Sequence, residues 1–209
     1  MKIEVWSDTV CPWCYVGLKR LQKALDLRPA IAAEVRWLPF ELNPDMPAAG
    51  MDRKTYLQQK FGDPDPFRGT QGSLQRSAAE LGIDYRPERQ TRMPSTRRSH
   101  MLIAAAATTG AQTGLKEAIL RAYFSDGRDI GDPAVLSDIA APFGIDAAQA
   151  NELLANSELR AAVAQQEDAA RRMQINGVPT FVFDRKLGFS GAQQLDVFLQ
   201  ALDRVSADA

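Results

Sequence analysis

The feature that most constrains this 209-residue chain is where it spends its cysteines. It has two, Cys11 and Cys14, set three positions apart at the junction of a strand pattern and a helix pattern. Lys2-Ile3-Glu4-Val5-Trp6 alternates and predicts a strand. Beyond the cysteines, Val16, Leu18, Leu21 and Leu25 recur at helical spacing, with Lys19, Arg20 and Lys23 between them. That is an amphipathic helix beginning at or just after Cys11. Pro12 falls in its first turn, where a missing N–H costs nothing, and Pro29 helps to end it.

In such a turn the two Cα atoms lie about 5 Å apart, within the range a disulfide accepts. Unpaired N–H groups and the positive end of the helix dipole converge on the first sulfur and favour a thiolate there. Cys11 is therefore expected to be an exposed, low-pKa nucleophile, and Cys14 its buried resolving partner. Two other uses of the pair compete. A zinc site closed within the chain needs four ligands, and the sequence adds only one histidine, His100. That leaves a metal shared between two chains, so no metal is expected. Inert buried cysteines fit poorly with a strand–CxxC–helix setting. A bond closing so short a loop would stabilise little, so the pair needs a chemical purpose.

The remaining strand signals lie far apart. Glu34 to Leu42 predicts a second strand, with Pro39 marking an edge or bulge near its end. Asn43 to Gly50 is a loop by composition. For about a hundred residues after it only helices are expected. These begin at Asp52, Ser73, Thr96, Gln112, Asp132-Pro133, Asp146 and Ser157, and the last runs to about Gln174. Strand chemistry returns with Pro179 to Phe183, a tight turn at Asp184-Arg185-Lys186, and Leu187 to Ser190. Leu195, Phe198, Leu199, Leu202 and Val205 then mark a final helix. Pro179 itself reads equally as a strand-initiating proline or as the site of a cis bond after Val178.

Composition narrows the setting. With 25 Lys+Arg against 26 Asp+Glu, no overall field draws the chain to nucleic acid or an acidic membrane. No apolar run reaches the roughly 20 residues a membrane span needs. The charged, alternating start lacks the apolar core of a signal peptide, so a cytoplasmic location is expected. Arg86, Arg89, Arg92, Arg97 and Arg98 form a basic stretch, read as a solvated face in preference to a surface for acidic partners.

Four segments together resemble the DsbA-like thioredoxin-fold family, most closely its cytoplasmic FrnE-like branch. They are Ser7 to Gly17, Pro39 to Pro44, Gly177 to Phe181, and Ser190 to Gln193. The resemblance spans nearly the whole chain. It implies an α/β thioredoxin-like fold interrupted by a large all-helical insertion: residues 1–45 and 156–209 as the thioredoxin-like domain, 46–155 as the insertion. It implies a thiol–disulfide oxidoreductase acting on protein or small-molecule thiols and disulfides. No cofactor is implied beyond the redox pair, with an external thiol such as glutathione as the electron partner. Val178 and Pro179 would form a cis-proline edge facing the disulfide and receiving substrate, with Pro12 and Trp13 completing the contact surface.

Asp8 and His100 are the candidates for proton transfer. Asp8 equally suits a turn cap, while a histidine placed like His100 is more often a packed helix residue. The family's Asn-Thr-x-x-Ala-His stretch reads Ser95-Thr96-Arg97-Arg98-Ser99-His100 here. Related glutathione-dependent isomerases and transferases carry serine where Cys11 stands, and grip glutathione with a Ser-Asp pair where this chain has Gly191 and Ala192. A glutathione-dependent isomerase, or a redox-switched holdase, is the competing expectation.

Overall fold

A computed structural model describes residues 1–63, 65, 69 and 71–207. Four strands form the main sheet: β1 (Lys2–Ser7), β2 (Glu34–Pro39), β5 (Thr180–Phe183) and β6 (Leu187–Ser190), in the order β2-β1-β5-β6. β1 runs parallel to β2 and antiparallel to β5, and β6 is antiparallel to β5. The parallel pair needs a crossover, and α1 (Pro12–Asp26) supplies it. Pro39 closes β2, an edge strand, where a missing donor is tolerated. The β5–β6 connection is the three residues Asp184–Arg185–Lys186: the Lys186 N–H closes onto the Phe183 carbonyl at 2.9 Å, and Asp184 and Arg185 stand at φ 46° and 55°, the paired positive dihedrals of a tight hairpin turn.

Strand alternation divides the sheet into two faces. Ile3, Val5, Val35, Trp37, Phe181 and Phe183 join the large core under α1 and α9 (Leu195–Ala207). Trp6, Leu38 and Val182 point the other way, onto Ala170 and Ile175 at the end of α8 (Ser157–Arg172). Gly17 sits where α1 crosses the start of β5. A Cβ there would lie 3.0 Å from both the Phe181 ring and Pro179 Cγ, so the missing side chain lets α1 approach the Pro179 loop.

Between β2 and β5 run α2 (Arg53–Phe61), α3 (Gln71–Glu80), α4 (Arg97–Ala105), α5 (Gln112–Phe124), α6 (Pro133–Ala140) and α7 (Ala147–Ala155). The expectation of an all-helical insertion needs correcting. β3 (Met51–Asp52) and β4 (Arg92–Met93) pair antiparallel within it. Two residues are too few for alternation to register, so this ladder left no period to read. Smaller differences are local. Asn156, not Ser157, caps α8; α3 begins two residues before Ser73; and the Ala-rich helix tightens into a 3₁₀ turn after Ala105. Asp132 and Asp146 cap α6 and α7 as their sequences imply.

The basic stretch faces solvent, and its charges are partnered there. Arg86 pairs with Asp84, Arg92 with Asp129 and Arg97 with Glu41, while Arg89 and Arg98 donate to the Ser125 and Gly131 carbonyls. Among the described residues no helix is long and apolar enough to cross a membrane.

Candidate active site

The chain leaves β1 at Ser7 and turns through Asp8, Thr9 and Val10 into α1, with Cys11 as N-cap and Pro12 in the first turn. The Cys14 N–H closes onto the Cys11 carbonyl at 3.0 Å. Both cysteines are free thiols. Cys14 is fully buried, and Cys11 keeps a 6% opening beside Pro12 and Trp13. Opposite it, the Cys11 thiol donates to the Val178 carbonyl at 3.7 Å. The Val178–Pro179 peptide is cis. Two segments 167 positions apart in sequence thus meet at one sulfur.

The expectation of an exposed, acidified Cys11 does not match this geometry. Cys11 is nearly covered, and its thiol is pushed well up, first by its hydrogen bond with Cys14 and then by burial. Cys14 is lowered: burial opposes its charge, but the hydrogen bond from Cys11 and the ammonium of Lys116 outweigh it. The two sulfurs share one proton and titrate as a pair, so a charge on one holds the proton on the other. Helix-dipole reasoning about Cys11 does not include the cation arriving from α5, whose field falls on both sulfurs.

Lys116 is the residue that sequence reading missed. It is 1% exposed and its ammonium donates to the Ser7 carbonyl at 3.4 Å. Burial lowers its pKa, while the fields of Cys14 and Asp8 work to keep it charged. A signal was present: Lys116, Ile119, Leu120 and Tyr123 follow i, i+3, i+4, i+7 spacing, which puts a lysine inside the apolar stripe of α5.

Asp8 and His100 do come together. Asp8 is wholly buried. Its Oδ1 accepts the Thr9 N–H at 2.7 Å and lies 3.2 Å from His100 Nε2, while Oδ2 accepts the Leu42 N–H at 2.7 Å. Burial works against its charge, yet the hydrogen bond to His100 and the other donors hold its pKa below the usual value. An ionised Asp8 with both oxygens engaged braces the turn between β1 and α1. Thr9 and Ser99 add a hydroxyl contact at 2.8 Å, so the Ser95–His100 segment pins α4 to the cysteine turn.

A second buried carboxyl lies behind this turn. Glu167 on α8 is 5% exposed, its Oε1 has no hydrogen-bond partner among the described residues, and its pKa is pushed up to about 7 by burial and by the Glu41 charge. Glu41 is itself held by Arg97 at 2.9 and 3.3 Å. A carboxyl raised in the folded state keeps a proton that the unfolded chain releases near pH 4. Its ionisation therefore erodes stability as pH rises from about 4 to about 7, and the loss is complete above that. Glu167→Gln should gain about 1–2 kcal/mol at pH 8, allowing for solvent screening, and almost nothing at pH 4. Chemical denaturation at the two pH values checks this; an equal gain at both would show that ionisation is not the cause.

Beside Cys11 opens a cavity of about 290 Å³ between the Val10–Trp13 turn and the insertion, lined by α2, α3 and α5 side chains. Among the described residues no cluster of three or more metal-ligating side chains occurs.

This arrangement has counterparts. A crystal structure of a probable DsbA oxidoreductase from Streptomyces coelicolor superposes with a TM-score of 0.89 at 34% identity, covering 100% of this chain and 91% of that one. The uncharacterized protein YwbO of Bacillus subtilis is 28% identical over 201 residues, 96% of this chain and 94% of its own. The cytosolic disulfide reductase DsbM of Pseudomonas aeruginosa, solved with glutathione, shares the fold at TM-score 0.69 and 20% identity, over 99% of this chain and 100% of that one. The family model described as DSBA-like thioredoxin domain matches residues 2–203. With a matched sequence pattern running from β1 into α9, the chain belongs to the DsbA-like thioredoxin domain family.

Proposed function

We propose that this protein is a thiol–disulfide oxidoreductase in which Cys11 attacks and Cys14 resolves. The observation that carries the reading is a reduced pair at a helix start with one sulfur opening to a cavity and the other sealed against a buried ammonium. Loss of one proton from the reduced pair leaves a single negative charge that the two sulfurs share. A disulfide substrate reaching Cys11 draws the charge onto that sulfur as the proton moves toward Cys14. Attack forms a Cys11–substrate disulfide and expels the substrate's other thiolate. Cys14 then loses its proton and attacks Cys11, releasing the second thiolate and leaving a Cys11–Cys14 disulfide. An external thiol such as glutathione, or a dithiol, returns the pair to its reduced state. Run backwards, the same steps oxidise a substrate dithiol.

Val178 and Pro179 supply the docking edge. Among the described residues the Val178 N–H has no hydrogen-bond partner, so it is available to an extended substrate carbonyl. Pro12 and Trp13 form the apolar rim. Asp8 and His100 position the turn. The glutathione-dependent isomerase reading is weaker here: Cys11 replaces the hydroxyl that chemistry uses, and Gly191 and Ala192 offer no polar side chain. The Ala192 and Gln193 carbonyls are already taken by Arg20 at 2.6 and 2.9 Å. A cytoplasmic setting belongs to this reading, since both cysteines are spent on one redox pair and none on structural cross-links. Insulin-disulfide reduction driven by a dithiol is the test. Turnover above the dithiol background is expected; its absence in folded protein sinks the reading.

A further inference from the structure

Arg53 is an unspent cation. It is half-buried at the start of α2 and lines the cavity beside Cys11, yet among the described residues its guanidinium has no hydrogen bond or ion pair. The neighbouring cation on that helix, Lys60, is occupied: it donates to Asn43 Oδ1 at 2.5 Å and lies 5.4 Å from the Tyr56 ring centroid. The rest of the wall is mainly apolar and aromatic, including Leu57, Leu74, Tyr85 and Phe124. The half-buried phenol of Tyr85 and the buried phenol of Tyr123 both lie in the field of Arg53. A partly desolvated guanidinium without a counter-charge is costly, and a planar carboxylate meets its fork with two charge-assisted hydrogen bonds.

The volume limits what else enters. About 290 Å³ is at the lower edge of small-molecule cavities, room for one ring with a short substituent and far too little for a folded segment. Resting on the redox reading above, we infer that this cavity selects low-molecular-weight disulfides and thiols built from an apolar ring bearing one carboxylate. The ring fills the apolar wall, the carboxylate pairs with Arg53, and the sulfur faces Cys11. Glutathione suits it poorly, because two carboxylates and an ammonium would have to leave water for a wall that is mainly apolar and aromatic. The chemistry is the exchange already described. Cys11 takes one arylthio group and expels the other as thiolate; Cys14 then displaces the first, and the pair supplies both electrons.

The test compares dithiodibenzoate with its uncharged bis-carboxamide in single-turnover reactions of the reduced protein, each rate divided by that of free dithiothreitol. The normalised rates should favour the carboxylate by about tenfold or more, fall to near parity in Arg53→Gln, and stay severalfold apart in Arg53→Lys. Benzoate, which has no sulfur, should protect Cys11 of the wild-type protein from iodoacetamide, whereas benzamide should not. Parity in the wild-type protein, an Arg53→Gln variant that keeps the full preference, or equal protection by both compounds would overturn the inference. Neutral hydroxyethyl disulfide separates the two levels. If it is not reduced, the redox reading fails, while benzoate protection still reports on the cavity.

Discussion

Replacing Cys11 with serine should lower insulin-disulfide reduction by at least about a thousandfold, to the level of the dithiol alone. A serine oxygen cannot form the mixed disulfide on which both halves of the exchange depend, and Cys14 at 0% exposure has no route to a substrate. The companion variant should behave differently. Cys14→Ser keeps the attacking sulfur but removes the group that releases it, so turnover should stop with the substrate still attached. Mass spectrometry of the non-reduced protein should show an adduct on Cys11 in that variant, and few or none in Cys11→Ser. If Cys14 carries the adduct while Cys11→Ser still turns over, the roles are reversed. The outcome matters because the Lys116 ammonium favours a thiolate on Cys14, while Cys11 is the sulfur that opens to the cavity. Access and charge point to different sulfurs, and attack through Cys11 requires access to decide.

Much of this site was readable because it is built from local patterns. Strand, turn and helix around Cys11 announce themselves through alternation, a first-turn proline and an i, i+3, i+4 stripe, all within 26 residues. The β5–β6 hairpin and the caps at Asp132 and Asp146 are equally local. What escaped depends on contacts across long sequence separations. Lys116 reaches Ser7 over 109 positions, and Arg92 and Arg97 of the basic stretch find Asp129 and Glu41 in distant parts of the chain. The ionisation of the cysteine pair depends on such a contact too. A helix dipole is a property of its own turn, whereas the field at the two sulfurs also includes a cation from another helix. Residues of both Lys116 and Glu167 type leave one trace, a charge inside an apolar stripe: Glu167 falls between Val163 and Ala170 on α8. Such a charge must either find partners in the interior or serve the chemistry there.

Lys116→Met should make the reduced pair harder to ionise. The ammonium is one of the groups that lower Cys14, so removing it raises the pH at which the pair first loses a proton. Thiolate absorbance and iodoacetamide alkylation against pH should both move upward, with alkylation at pH 7 slowed about tenfold if the change is one pH unit. The potential should move too, in a direction fixed by which redox state contains the charge. The thiolate exists only in the reduced form, so losing its cation destabilises that form against protonation and makes the protein a stronger reductant. The drop is roughly 30 mV for each tenfold change in the equilibrium constant. A purely structural lysine would behave otherwise. In the oxidised form no thiolate faces Lys116, and methionine fills the same space without a desolvated charge. The disulfide form of the variant still loses the ammonium's contacts with Asp8 and the Ser7 carbonyl, but should lose less stability than the reduced form, whereas a structural role would cost both forms equally. Lys116→Arg should restore part of the low-pH alkylation, since it restores the charge. An unchanged alkylation profile in Lys116→Met would remove the lysine from the redox site; a lowered profile would reverse the sign of its role.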